Sequence, residues 1–334
     1  MQEFPGVHRR PGVGETDICA SAARATREVS STPSLTRPRR PAAGRYLGRH
    51  AFGTASVLPA VLFVVAFIMV PTVLVILISA TNWLGIGPIR KFVGLANYST
   101  ILGNGAYLNA LRVTIVYTVA LTIASTVIGF VLASIIQLRL RGWRFYKVAW
   151  FVPIMLPGTV IAILWAGGVF AASSGFLDSA STAFGLPIPD SGWLGDSFHA
   201  QLAIIITGIW ATAGWPMLIL SAAMEKIPKD YFEAASIDGA TWWQRTRFIT
   251  VPIMWPVISI VLTLQVVFGL KAFDLAYVMT AGGPVNSTAT IGLLMWQAAI
   301  GNGNFAVGSA AAVLIILTIV PLTILQRRLT SVSR

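Results

Sequence analysis

The stretch EAASIDGATWWQRTRFITVP, Glu233 to Pro252, gathers charged and aromatic side chains in an otherwise apolar chain. Glu233 and Asp238 supply carboxylates, Arg245 and Arg247 guanidinium groups, and Trp242 and Trp243 large rings. Side chains of these types form ion pairs and pack against a partner; their spacing matches no arrangement for breaking covalent bonds.

Catalytic material is equally scarce elsewhere. Cys19 is the only cysteine, which excludes an internal disulfide and any multi-cysteine metal site. His8, His50 and His199 each stand alone, and no HExxH, GxSxG or GxxxxGK[ST] pattern occurs. Neither enzyme chemistry nor a bound metal or cofactor is expected of this chain. Without a phosphate loop it cannot cradle ATP on backbone amides and a lysine, so any ATP that drives it is hydrolysed by another polypeptide.

The elements that must position residues 233–252 are membrane helices. Of the 334 residues, 55% are hydrophobic and only 11% charged, against about 25% charged in soluble domains. Segments at roughly 55–80, 108–137, 148–171, 200–223, 250–273 and 304–326 each supply the 20 or so apolar residues a crossing needs. They are too long and too evenly apolar for the alternating strands of a membrane barrel, so the fold class is all-α integral membrane, with six transmembrane helices. The first is longer than a signal-peptide core and is read as a retained span.

Basic residues resist translocation and set the orientation. They collect before the first span (Arg37, Arg39, Arg40, Arg45, Arg49), after the second (Arg139, Arg141, Arg144, Lys147), after the fourth (Lys226, Lys229, Arg245, Arg247) and in the tail (Arg327, Arg328, Arg334). The loop near 172–199 carries Asp178, Asp190 and Asp196 with no Lys or Arg, and that near 274–303 has only Asp274. Both termini are therefore expected in the cytoplasm, although Arg90 and Lys91 in the first loop weaken the pattern. Residues 1–50 read as a disordered basic cytoplasmic arm, 51–326 as the transmembrane domain with a large loop at 224–250, and 327–334 as a cytoplasmic tail. The net charge of +12 is explained by membrane lipid headgroups beside the spans, and no nucleic-acid partner is expected.

Within the 224–250 loop, Pro228 suits a first helical turn, Lys229 to Ile237 continue it, and Gly239 offers a left-handed stop. Thr241 followed by Gln244 makes a capping box that starts a second helix. Pro252 marks the start of the fifth span or a kink in its first turn. The expected product is a helix, a sharp bend and another helix at the membrane interface, with small alanines that let a partner approach closely.

Three functional classes suit a six-span chain: an ion-coupled carrier, a channel and an ATP-driven permease. Carriers keep ionisable groups near mid-membrane, but Arg112, Lys271 and Asp274 lie near span ends, and nothing resembles a selectivity filter. A solute path needs polar or aromatic groups at depth. Gly208, Thr212 and Trp215 share one face of the fourth span, and Gln265 with Gly269 make a second short polar face in the fifth. Ordinary helix packing explains small residues and Thr there equally well.

The segment resembles the EAA motif of bacterial ABC importer permeases: Glu233, Ala234, Ala235, then Gly239, Ile249 and Pro252, with Val251 where Leu is usual. IPKDYF just before it, FVGLANYSTIL (92–102), RFYKVAWFVPIMLP (144–157) and KAFDLAYVMTAGGPVNSTAT (271–290) extend the resemblance to about 90–326, in the carbohydrate branch related to maltose and glycerol-3-phosphate permeases. The resemblance implies a type I (MetI-like) permease in a bacterial plasma membrane. It also implies a second homologous permease subunit, two ATP-binding subunits and an extracellular solute-binding lipoprotein or protein. By the same resemblance Glu233, Ala234, Ala235, Asp238 and Gly239 belong to the helix that docks on the ATPase, and the solute is a sugar or sugar-like molecule. Trp193, Asp190, Asp196 and the GGP loop at 282–284 are expected to face outward, where they either meet the binding protein or are ordinary loop structure with Gly and Pro making turns. An ion-coupled carrier and an ABC permease for a non-sugar solute remain the alternatives.

Overall fold

The computed structural model describes residues 57–89 and 91–331. The arm read at 1–50, Arg90 and Arg334 lie outside the described residues. By contacts the chain divides into Met1–Val64 and Val65–Arg334. In the first unit, residues 57–64 are helical with exposed, mostly apolar side chains. The second holds the helical bundle.

The described residues form helices joined by loops, with one antiparallel bridge between Thr81 and Phe92. In order they are α1 (Val57–Ser79), α2 (Ala96–Gly103), α3 (Gly105–Gln137), α4 (Trp143–Met155), α5 (Gly158–Val169) and α6 (Phe176–Phe184). There follow α7 (Ser197–Met224), α8 (Lys229–Ile237), α9 (Trp242–Leu270), α10 (Asp274–Thr280), α11 (Ile291–Gly301) and α12 (Phe305–Ser331). Helices α1, α3, α7 and α9 are each long and apolar enough to cross a bilayer.

The central rod is α3, 33 residues long. One face of it carries Ala110, Thr114, Thr118, Thr122 and Thr126, spaced by four and all buried. Small residues at that spacing let neighbouring backbones come close where no water drives association. The opposite face, Ile115, Val119, Ile123, Val127 and Val131, is exposed for lipid contact. Helices α7 and α9 pack on the small face, while the inner half of α1 lies against α12.

The third expected span differs from a single crossing at 148–171: α4 and α5 meet at 104°. Pro157 is the cause, because its ring drives the preceding residue out of helical geometry; Leu156 is extended (φ −83°, ψ 141°) and α5 restarts at Gly158. The fifth span also departs from its expected start at 250. It continues α9 from Trp242 through a wide π-type turn at Thr246–Thr250, just ahead of Pro252, which cannot donate to the preceding turn. Pro228 caps α8 rather than lying in its first turn.

The loop between α10 and α11 is irregular backbone pinned by side chains. Asn109 and Gln201 donate to the Asn286 and Ser287 carbonyls at 2.7 and 2.6 Å, and Thr288 donates to the Gly283 carbonyl at 2.7 Å. Thr290, 1% exposed, accepts from Leu293 N–H to cap α11 and donates to the Ala272 carbonyl at 2.7 Å. Thr290→Val keeps the shape and unpairs both groups, so unfolding in detergent should show a loss of about 1–3 kcal/mol. An unchanged midpoint would mean that the loop is held without it.

Candidate functional site

Helix α8 ends in a Schellman arrangement: the Ala240 amide donates to the Ala235 carbonyl (2.9 Å) and the Gly239 amide to the Ser236 carbonyl (3.2 Å). Gly239 has φ +71°, a left-handed conformation that costs other residues, and a Cβ there would meet nothing. Two residues later the capping box closes: the Thr241 amide donates to Gln244 Oε1 at 2.7 Å, and the Gln244 amide to Thr241 Oγ1 at 3.3 Å. Both ends of the bend are thus hydrogen-bonded through local chemistry. Arg245 then clamps α9 to α8 by donating from Nη1 to Ser236 Oγ at 3.0 Å.

Glu233, Ala234 and Asp238 are exposed, as are Tyr231, Ile237 (87%), Trp242 and Trp243. Ala235 is buried at 8%, so of the two alanines only Ala234 is open to a partner. A cleft of about 740 Å³ lies where α7, α8 and α9 meet, between Tyr231, Ile219 and Ile253. This end of the bundle presents ion-pairing and apolar groups on a short helix with a rigid root.

A second cavity, about 230 Å³, lies deeper among α3, α5, α7 and the turn after α9. Gly208 and Thr212 line it. A Cβ on Gly208 would run into Tyr117 Oη, so a larger residue there would have to displace the tyrosine ring. The Thr212 hydroxyl is turned back on the Gly208 carbonyl at 2.8 Å. The other three path candidates do not line this cavity. Gln265, fully buried, donates to Ser125 Oγ in the seam with α3; Gly269 packs on Thr118; and Trp215 Nε1 is buried without a partner. The cavity also contains Tyr117, Lys271, Phe273 and Asp274, none of them singled out as path residues from the sequence. A lone tyrosine within an apolar span and two charges at a span end were the available signals. Phe273 stacks on Tyr277 at 5.3 Å, and Tyr277 meets Trp296 at 4.7 Å, which makes an aromatic cluster beside the cavity.

Near the start of α7, Asp178 is buried, accepting from Trp193 Nε1 (2.7 Å) and the Ser173 amide (2.6 Å). Asp196 caps α7 through the Phe198 and His199 amides and bonds His199 Nδ1 at 2.8 Å. The His199 amide is the main cause holding the Asp196 carboxyl below the usual carboxylate range. Asp178, Trp193 and Asp196 thus brace this loop, while Asp190 is exposed.

Comparison with known proteins agrees with this architecture. Residues 125–331 match the family described as binding-protein-dependent transport system inner membrane component. A probable ABC transporter permease protein of Pyrococcus horikoshii is 34% identical over 78% of this chain and 89% of its own length. The multiple sugar-binding transport system permease protein MsmF of Streptococcus mutans is 30% identical over 75% and 86%. The trehalose/maltose transport system permease protein MalF of Thermococcus litoralis is 30% identical over 81% and 91%. A bacterial ABC transporter involved in the import of alginate shares the fold at TM-score 0.74 and 17% identity, covering 86% of this chain and 97% of that one. The chain belongs to the family of binding-protein-dependent transport system inner membrane components. It is a multi-pass transport subunit rather than an enzyme.

The bend gives a direct test. Gly239→Val forces a β-branched residue into the left-handed region and should destabilise the bend by about 1–2 kcal/mol, whereas Gly239→Asn should cost little. Hydrogen exchange of the α8 amides reads this: faster exchange in the Val variant alone is expected, and equal rates in both would remove the requirement for positive φ.

Proposed function

We propose that this chain is one permease of an ATP-driven importer for a sugar or sugar-like solute, and that α8 with the bend after it is its coupling helix. The carrying observation is the doubly capped bend that holds Glu233 and Asp238 exposed on a short helix at one end of the bundle. A partner that grips such a helix moves α9 with it, because Arg245 and the capping box leave little slack between them. Domain closure driven by ATP then becomes rigid-body motion of the spans. The partners in this reading are two ATP-binding subunits, a second homologous permease, an extracellular solute-binding protein and membrane lipid. ATP is bound and hydrolysed by the separate subunits, with no cofactor held by this chain. Both termini and α8 lie on the cytoplasmic side of a bacterial plasma membrane, a placement supported by the basic loops at that end.

The sugar assignment is supported by the solutes named for the Streptococcus mutans and Thermococcus litoralis relatives. The aromatic cluster at Phe273 fits it as well, since sugar rings are held by aromatic faces and a few hydrogen bonds. On this reading Gly208 and Thr212 lie on the solute path. Gln265, Gly269 and Trp215 contribute to it by packing.

Glu233→Lys should insert normally yet lose ATPase association and solute-stimulated hydrolysis by about tenfold or more, as expected when an interfacial charge is reversed. Normal stimulated hydrolysis would remove α8 from the coupling role. In uptake assays Phe273→Ala should raise the half-saturating sugar concentration roughly 2–10-fold. Gln265→Ala should lower the amount of folded transporter and leave half-saturation unchanged. The opposite pattern would move the path into the α3–α9 seam.

A further inference from the structure

We propose that the cleft between the end of α3 and the start of α4 is a binding site for an anionic phospholipid. The cleft measures about 430 Å³. Its α4 wall is aromatic, with Trp143, Tyr146 and Trp150 at a spacing that puts them on one helical face. Ile135 forms the α3 side, Leu140 of the turn between the two helices flanks it, and Met217 of α7 also lines it. Ile135, Leu140 and Tyr146 are 43%, 53% and 54% exposed on elements that border the bilayer, so the cleft is open for acyl chains to enter from the side.

The rim is cationic. Arg141 lines the cleft itself, and the guanidinium carbons of Arg139 and Arg144 lie 5.9 and 5.5 Å from the centre of the Trp143 ring. That contact orients both side chains beside the opening. Tight backbone turns set this arrangement: Arg139 has φ +47° and Gly142 φ +86°. No Asp or Glu occurs between Gln137 and Lys147, and among the described residues none of these cations forms a salt bridge.

An apolar cleft with an aromatic wall and a rim of unpaired arginines matches a molecule with acyl chains below and a phosphate above. A soluble peptide or a sugar has no use for a side opening into hydrocarbon. The Gln137 amide donates to the Ser221 carbonyl at 2.9 Å, which ties this end of α3 to the end of α7 that leads into α8. The lipid therefore sits on the same face of the membrane as the coupling helix. Only the naming of that face as the cytoplasmic leaflet rests on the orientation proposed above.

Native mass spectrometry of the full-length chain, purified with the subunits that accompany it, provides the test, with dioleoyl phosphatidylglycerol and dioleoyl phosphatidylcholine titrated separately. The natural protein should retain phosphatidylglycerol in preference. A single Arg141→Gln should weaken that retention roughly fivefold, and R139Q/R141Q/R144Q more than tenfold, with phosphatidylcholine retention unchanged. Leu140→Trp, which fills the cleft and leaves the arginines, should reduce retention of both lipids. Excess inorganic phosphate should displace neither. Equal retention of the two lipids by the natural protein, unchanged phosphatidylglycerol retention in the triple variant with its thermal midpoint preserved, or displacement by phosphate alone would each overturn the site. The readout needs neither ATP nor sugar, so failure of the importer reading leaves it standing, and its own failure leaves that reading intact.

Discussion

Every backbone N–H and C=O within the hydrocarbon of a membrane must find a partner inside the protein, and the rest of this structure depends on that constraint. It is met most simply by long helices such as α3, whose 33 residues are hydrogen-bonded within the segment. It also decides where irregular backbone can go. The loop between α10 and α11 has several residues with positive φ; Asn109 of α3 and Gln201 of α7 donate to its carbonyls, its own Thr288 donates to the Gly283 carbonyl, and Thr290 donates to that of Ala272 beside it. Around this loop the polar side chains serve the backbone first.

The same economy of polar groups shapes the centre of the bundle. The small-residue face of α3 brings α7 and α9 close; its Thr114 hydroxyl bonds the Ala110 carbonyl one turn back at 2.7 Å, while those of Thr118, Thr122 and Thr126 are buried without a partner among the described residues. Gln265 reaches across to Ser125 and ties α9 to α3. A core knitted in this way moves as a unit rather than deforming, which suits helices that pass on a motion begun at their ends. The cavity beside Tyr117 lies where α5 restarts after the 104° bend, so the break in that span makes room among the helices.

At the α8 end, two local motifs in series turn a flexible loop into a joint of fixed angle. The Schellman closure satisfies the last carbonyls of α8, and the capping box satisfies the first amides of α9. Arg245 adds a cross-link between the helices that neither motif supplies. The nearby phospholipid cleft at Trp143 uses a similar device, with left-handed residues aiming long cationic side chains around a ring.

Much of this was legible in the residues alone, because the signals are local. Apolar length specifies a crossing, Gly239 and the Thr241–Gln244 pair specify a bend, and both depend only on neighbours within a few positions. The 104° break needed Pro157 to be weighed as a turn rather than absorbed into an apolar run; its signal was present, but its angle depends on the helices that pack against α4 and α5. The side on which a polar residue faces was not local at all. Gln265 and Thr212 look alike as polar residues within apolar spans, yet one is sealed against α3 and the other lines a cavity. Sequence by itself determined the helical membrane fold and the bent helix pair, since each follows from backbone hydrogen bonding and residue-level conformational preference. Only tertiary structure decided which faces close on one another and which leave space, since that is set by side-chain volumes meeting across helices distant in the chain.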